Sequence, residues 1–289
     1  MNPNDRQILR EQVRFFYDLQ RLRIQARGRA QPTADPVILH PTDRQDLLVR
    51  STVVETLERQ ILQDITQLLM RIPFYVNTLS NREDYRGLGP TMAAVILSEF
   101  DVTLAKYPSQ FWSFAGLAPT DCKRCKDCHQ IVVSVEGKWK HPKNIKGAKC
   151  DKALEEVELR QLYDSSKTMK PTKGQKLPYN SFLRTKLIGV LGPNLIKCNS
   201  PWRRLYDEKK LYYQSKGWGI SDGHRHNAAM RFMIKMLLLD IWTKWRTAEG
   251  LPLAKSYHEG KLGHVHTDST PIPQSHPKDE SVPSDLSHP

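Results

Sequence analysis

The sequence predicts a mainly α fold: an N-terminal helical or coiled-coil hairpin, then a helical domain interrupted by one small β insertion. Three observations carry this. Apolar residues recur every three to four positions in segments on both sides of the insertion, the spacing of one helix face. Between residues 120 and 178 that pattern stops, and Lys and Cys take the place of core formers. Residues 265–289 are rich in Pro and Ser, which predicts a flexible tail. The expected division is a helical region over 1–80, a helical domain from 81–119 and 179–252, the insertion over 120–178 and the tail over 253–289.

Each element has its own signal. Leu9, Val13, Phe16, Leu19 and Leu22 place a helix over 5–28. Pro32, Pro36 and Pro41 mark a linker, after which Thr42 with Gln45 forms a capping box for a second helix reaching about Arg71. The stripe Val54, Leu57, Ile61, Ile65, Leu68 and Ile72 on that helix fits either a coiled-coil seam between protomers or a hairpin with 5–28. Gly87-Leu88-Gly89-Pro90-Thr91-Met92-Ala93 reads as a tight turn opening a helix through Phe100. Glycine tolerates the positive φ such a turn needs, and proline fits a first helical turn. A short helix over Pro108–Phe114 leads to the small-residue turn Ala115-Gly116-Leu117-Ala118-Pro119. Helices return over Tyr179–Leu191, Pro201–Ser215 and Gly223–Thr247. The last carries Met230, Met233, Ile234, Leu237, Leu238, Ile241 and Trp242. Trp202, Trp218, Trp242 and Trp245 read as core, and Cys198 as a buried apolar residue.

Charge narrows the function class. The 289-residue chain carries a net +13, and residues 265–289 hold −3 of that balance, leaving +16 on the other 264. A polyanion is the natural partner of such a chain. No run of about 18 apolar residues exists, so no membrane span is expected. The first residues lack the apolar stretch of a secretory signal. Exposed amides at the start of the Gly87 helix, backed by the helix dipole, suit a phosphate. The segment is therefore a candidate helix-hairpin-helix element gripping DNA through Gly87, Leu88, Gly89 and Thr91.

Four of the five cysteines cluster: Cys122, Cys125 and Cys128 are spaced by three, His129 follows, and His141 and Cys150 lie further on. Thiolate and imidazole at this spacing suit structural Zn2+, and a segment this poor in core residues needs such a staple. The best quartet is Cys125, Cys128, His141 and Cys150, with Cys122 or His129 as substitutes. Residues 130–135 would supply a strand after the knuckle, as in a zinc ribbon.

Three segments occur in order: Tyr85-Arg86-Gly87-Leu88-Gly89-Pro90-Thr91, Phe111-Trp112-Ser113-Phe114-Ala115-Gly116-Leu117-Ala118-Pro119 and Tyr179-Asn180-Ser181-Phe182-Leu183-Arg184-Thr185-Lys186-Leu187. Together, over roughly 45–250, they resemble the C-terminal domain of the IS-one-ten/IS-one-sixteen family of bacterial insertion-sequence transposases. The start of the last helix, Ser221-Asp222-Gly223-His224-Arg225-His226, is similar to zinc-containing members. The resemblance implies DNA transposition in a bacterial cytoplasm, at the nucleoid. It also implies a nucleophilic serine in a Ser-Gly motif, a structured guide RNA, and Mg2+ held by an RNase-H-like domain. Ser165 stands at the serine, with Ser166 in place of the glycine. Lys167, Lys170, Lys173 and Arg184 are candidates to stabilise the transition-state charge, and Asn180 and Arg184 share a helix face at i, i+4. His224 and His226 read first as helix-cap polarity. The first 45 residues show no alternating strands ending in carboxylates, so Mg2+ would enter only through a partner domain. DNA and a homo-oligomer formed through the coiled coil are the remaining expected partners.

Overall fold

The computed structural model describes residues 2–30, 40–118, 122–125, 131–135, 138–139, 154–156, 179–215, 217 and 221–254. These residues are mainly helical. Helices α1 (Pro3–Ala30) and α2 (Pro41–Leu69) lie against each other. α1 buries Leu9, Val13, Phe16 and Leu19, and α2 buries Ile65 and Leu69. Arg23 Nε meets Glu58 Oε2 at 2.6 Å and Arg27 Nη2 meets Glu55 Oε2 at 2.6 Å. Moving up α1 thus means moving down α2, so the two form an antiparallel hairpin. The intrachain alternative for the α2 stripe is the one observed: Val54, Ile61 and Leu68 are half-buried and Ile65 and Ile72 buried, while Leu57 is exposed. Leu48, Val49, Val53 and Leu57 stay exposed, as do Ile8, Phe15 and Leu22 on α1.

The capping box expected at Thr42 and Gln45 does not form. Pro41, which needs no N–H partner, opens α2 two residues earlier, and Thr42 Oγ1 instead meets His40 Nδ1 at 2.8 Å.

A π-helical turn, Tyr75–Leu79, leads to the glycine turn and then to α3 (Pro90–Glu99). Every residue from Met92 to Glu99 is buried, which makes α3 the central helix. In α4 (Pro108–Phe114), Phe111 stacks on Phe100 with ring centroids 4.0 Å apart. Four short strands follow: β1 (Cys122–Cys125), β2 (Ile131–Val135), β3 (Lys138–Trp139) and β4 (Leu154–Glu156). They pair antiparallel in the order β3-β2-β1-β4.

Beyond them come α5 (Ser181–Lys186), a π-helical turn (Leu187–Leu191), α6 (Gly192–Lys197), α7 (Arg203–Ser215) and α8 (Asp222–Ala248). α8 starts under the cap of Ser221, whose side chain accepts from the His224 amide. Its inner face, Met230, Met233, Ile234, Leu237, Leu238 and Ile241, is buried. Two side chains tie it to the loop after α3. Arg246 Nη1 donates to the Val102 and Ala105 carbonyls at 2.8 and 2.9 Å, and Trp242 Nε1 donates to the Ala105 carbonyl at 2.8 Å. Trp202, Trp242 and Trp245 are core residues, while Trp218 lies outside the described residues. Cys198, expected to be buried, is exposed, because α6 ends just before it and its thiol faces Asn194 Oδ1 at 3.5 Å. No helix among the described residues is long and apolar enough to cross a membrane.

Candidate nucleic-acid interface

The glycine turn faces inward more than its sequence suggests. Gly87 has φ +92°, and a Cβ there would sit 3.1 Å from the Leu195 backbone. Its carbonyl accepts from Asn194 Nδ2 at 2.6 Å. Leu88 is only 4% exposed, and its amide donates to the Tyr85 carbonyl at 2.9 Å. Leu88 therefore cannot offer a phosphate either its side chain or its N–H. That overturns its assignment as a contact residue, for a hydrophobic side chain on a turn docked against α6 stabilises the fold by burial. What remains accessible is Arg86, which is exposed, and the half-buried stretch Gly89, Pro90 and Thr91 at the start of α3. A Cβ on Gly89 would meet nothing within 4 Å.

Asn180 is likewise spoken for. Its backbone N–H donates to the Phe114 carbonyl at 2.8 Å, and its Oδ1 accepts from the Leu183 amide at 3.0 Å, capping α5. Its Nδ2 donates to Glu99 Oε2 at 2.5 Å. Glu99 is 5% exposed. It also meets Arg14 Nη2 at 3.0 Å and Arg10 Nε at 3.7 Å, and Arg10 Nη2 donates to the Ser98 carbonyl at 2.8 Å. A buried carboxylate with these partners is a structural hub, and Asn180 is one of its spokes rather than a ligand for DNA. Arg6, one turn further along the same face of α1, pairs with Asp101. Burial alone would raise the Asp101 pKa, but hydrogen bonds from Thr103 and Arg6 outweigh it and hold it below the ordinary value.

Arg184 lies over the Tyr179 ring at 5.1 Å. The same ring closes over Gly116, whose φ is +66° and whose added Cβ would come within 2.7 Å of it. Burial, followed by the positive charge of nearby Arg184, lowers the Arg231 pKa, so these two cations share one region. Two residues after Arg184, Lys186 Nζ sits 3.1 Å from the Tyr17 ring centroid. Burial, reinforced by Arg21 and opposed by Asp18, pushes its ammonium down to about 8.

The three segments that carry the family resemblance thus converge on α3. The first opens it. The second caps its far end through Phe100 and Phe111, and the third reaches Glu99 through Asn180. The first is also tied to α8. Tyr85 Oη donates to Asp240, a buried carboxylate that Lys244 Nζ meets at 3.2 Å. Burial, then the Asp240 charge, raises the Tyr85 pKa far beyond the ordinary phenol range. His226 Nδ1 lies 2.7 Å from Tyr206 Oη, so its ring joins α8 to α7.

Among the described residues, a groove of about 420 Å³ lies beside the turn, lined by Arg86 and by the α6–α7 corner from Asn199 to Arg204. Sequence reasoning named Arg86 only within a motif and missed Ser200, Arg203 and Arg204, which no local pattern distinguishes from ordinary helix-start polarity.

Ser165, Lys167, Lys173, Cys128, His141 and Cys150 lie outside the described residues. Cys122 and Cys125 are the two ends of β1, and the backbone of Cys125 pairs with Leu154, four residues after Cys150. No protein-family model matches the chain, and neither a curated protein nor a solved structure shows a significant match to it.

Proposed function

We propose that this chain is a nucleic-acid-binding protein of the insertion-sequence transposase type, working on DNA with its helical domain as the binding body. The observation that carries the reading is the convergence of three segments, spread from Tyr85 to Leu187, on the single helix α3. Their order in the sequence suggested a transposase domain, and a shared packing hub gives them a common structural purpose. The charge of +16 outside the acidic tail supplies the attraction to a polyanion. Arg86, Thr91, Arg184 and the Gly89 turn are the surface through which the described residues would meet it. Lys167 and Lys173, in the insertion, are proposed as further phosphate contacts.

Catalysis in this reading is a transesterification. Ser165 Oγ attacks a phosphodiester phosphorus, a new P–O bond to serine forms, and the bond to one sugar oxygen breaks, with the serine proton passing to a base. Zn2+, held by Cys125 with Cys128, His141 and Cys150, staples the insertion that bears this serine. A guide RNA and a second copy docked on the exposed apolar residues of the helical hairpin complete the set of proposed partners.

A second reading, a relative that binds nucleic acid without cutting it, is favoured by one observation. Residues 3–30 form one helix, and Asp18 in it is spent on an exposed pair with Arg21 at 2.6 Å, so this region holds no carboxylate cluster for Mg2+. The two readings separate on a denaturing gel. A covalent protein–DNA adduct formed by the wild type and lost in Ser165→Ala supports the transposase. No adduct from either, with DNA binding intact, leaves the non-cutting relative.

A further inference from the structure

We infer that the groove between Arg86 and the start of α7 is a notch for one phosphodiester, the point where the proposed nucleic-acid surface grips the backbone; it rests on that functional reading. Four observations build it. Arg86 is exposed at the lip and makes no ion pair among the described residues. Arg203 and Arg204 enter from the first turn of α7, a 13-residue helix with no acidic residue there to satisfy its positive end. Ser200 is 3% exposed, yet its Oγ meets no hydrogen-bond partner among the described residues. Asn199, at φ +48°, turns the chain so that Ser200 lines the groove.

A buried hydroxyl without a partner is costly to keep, and a phosphate oxygen is the acceptor this setting lacks. The opposing charges sharpen the choice of ligand. Asp207 and Glu208 also line the groove, holding Arg203 Nε at 3.2 Å and Arg204 Nε at 3.4 Å. Three guanidiniums against two carboxylates leave one positive charge, plus the helix end. That balance suits the single charge of a phosphodiester better than the two of a phosphomonoester. The notch is too small for a folded partner and is continuous with the Gly89 turn through Arg86. Asp84 anchors the same wall, because Trp202 Nε1 donates to its carbonyl at 2.9 Å.

The test uses the full chain in two arms. In the first, dimethyl phosphate, a singly charged phosphodiester, is titrated against chloride at constant ionic strength, read by amide NMR shifts of residues 199–204. Saturable shifts are expected, weakened about fivefold or more in Ser200→Ala and about tenfold in Arg86→Ala. Because Ser200→Ala deletes an unsatisfied hydroxyl, its Tm should equal or exceed that of the wild type. Shifts that are absent, or unchanged in both variants, overturn the notch, as does a Ser200→Ala chain that melts well below the wild type. In the second arm, binding of a random-sequence DNA duplex is followed against salt. Arg86→Ala should weaken binding to every sequence alike and lower the salt slope by about one; an unchanged slope overturns the nucleic-acid role of the notch. Phosphate binding that depends on Ser200 and Arg86, in a chain with no affinity for DNA or RNA, supports the notch and sinks the functional reading alone.

Discussion

Replacing Asn180 by Ala separates a structural residue from a nucleic-acid ligand. Two bonds vanish. Loss of the cap on the Leu183 amide costs about 1 kcal/mol. Loss of the bond to Glu99, a charged and buried acceptor, costs about 1.5–3 kcal/mol. Arg14 and Arg10 remain beside the carboxylate, so the hub is weakened rather than stripped. The total of about 2.5–4 kcal/mol should appear in urea unfolding as a lower midpoint with an unchanged m value. Binding to DNA, measured well below the melting temperature, should stay within about twofold of wild type. Asn180→Asp gives the complementary result. It keeps the cap but sets a second carboxylate against Glu99, so the variant should be unstable at neutral pH and recover as acid protonates the pair. A stability change under about 0.5 kcal/mol together with a loss of DNA affinity would refute this reasoning and return Asn180 to the ligand list.

Gly116→Ala meets both a positive φ and the Tyr179 ring, and should cost about 2–4 kcal/mol by thermal melting, with Arg184 losing its stacked position. Gly89→Leu, by contrast, faces open space, so it should leave Tm nearly unchanged while weakening DNA binding in an anisotropy titration. Lys186 titrates at about 8 in the folded chain against 10.5 unfolded, so the unfolded state holds the extra proton between those values. Stability from this group therefore rises as pH climbs from about 8 towards 10.5, and Lys186→Met should flatten that part of the Tm–pH profile. Metal analysis under reducing conditions should find one zinc per chain, lost in Cys125→Ser; a metal-free wild type would remove the zinc proposal.

The helices were legible because their apolar spacing is long and regular, and α4 begins and ends where the sequence places it, between Pro108 and Phe114. The direction of the glycine turn was not legible. Gly87 signals a positive φ, but whether its carbonyl faces solvent or Asn194 is decided by α6, more than a hundred residues away. Asn180, expected inside the Tyr179–Leu191 helix on one face with Arg184, is instead the cap before Ser181, the position its residue type suits. The Glu99 hub left a trace that went unread. Arg6, Arg10 and Arg14 repeat every four residues on one face of α1, and a lone carboxylate ends the apolar run of α3. Asp240 left no such trace, because its partners Tyr85 and Lys244 come together only in the folded chain.

The central claim, that a cationic helical body holds a sugar-phosphate strand, is met most directly by measuring the affinity of the full chain for a DNA duplex from about 50 to 200 mM salt. The account predicts a log–log slope of about −3 or steeper, the release of counterions from at least three phosphates. A flat slope, or no binding at the lowest salt to either DNA or structured RNA, would contradict it.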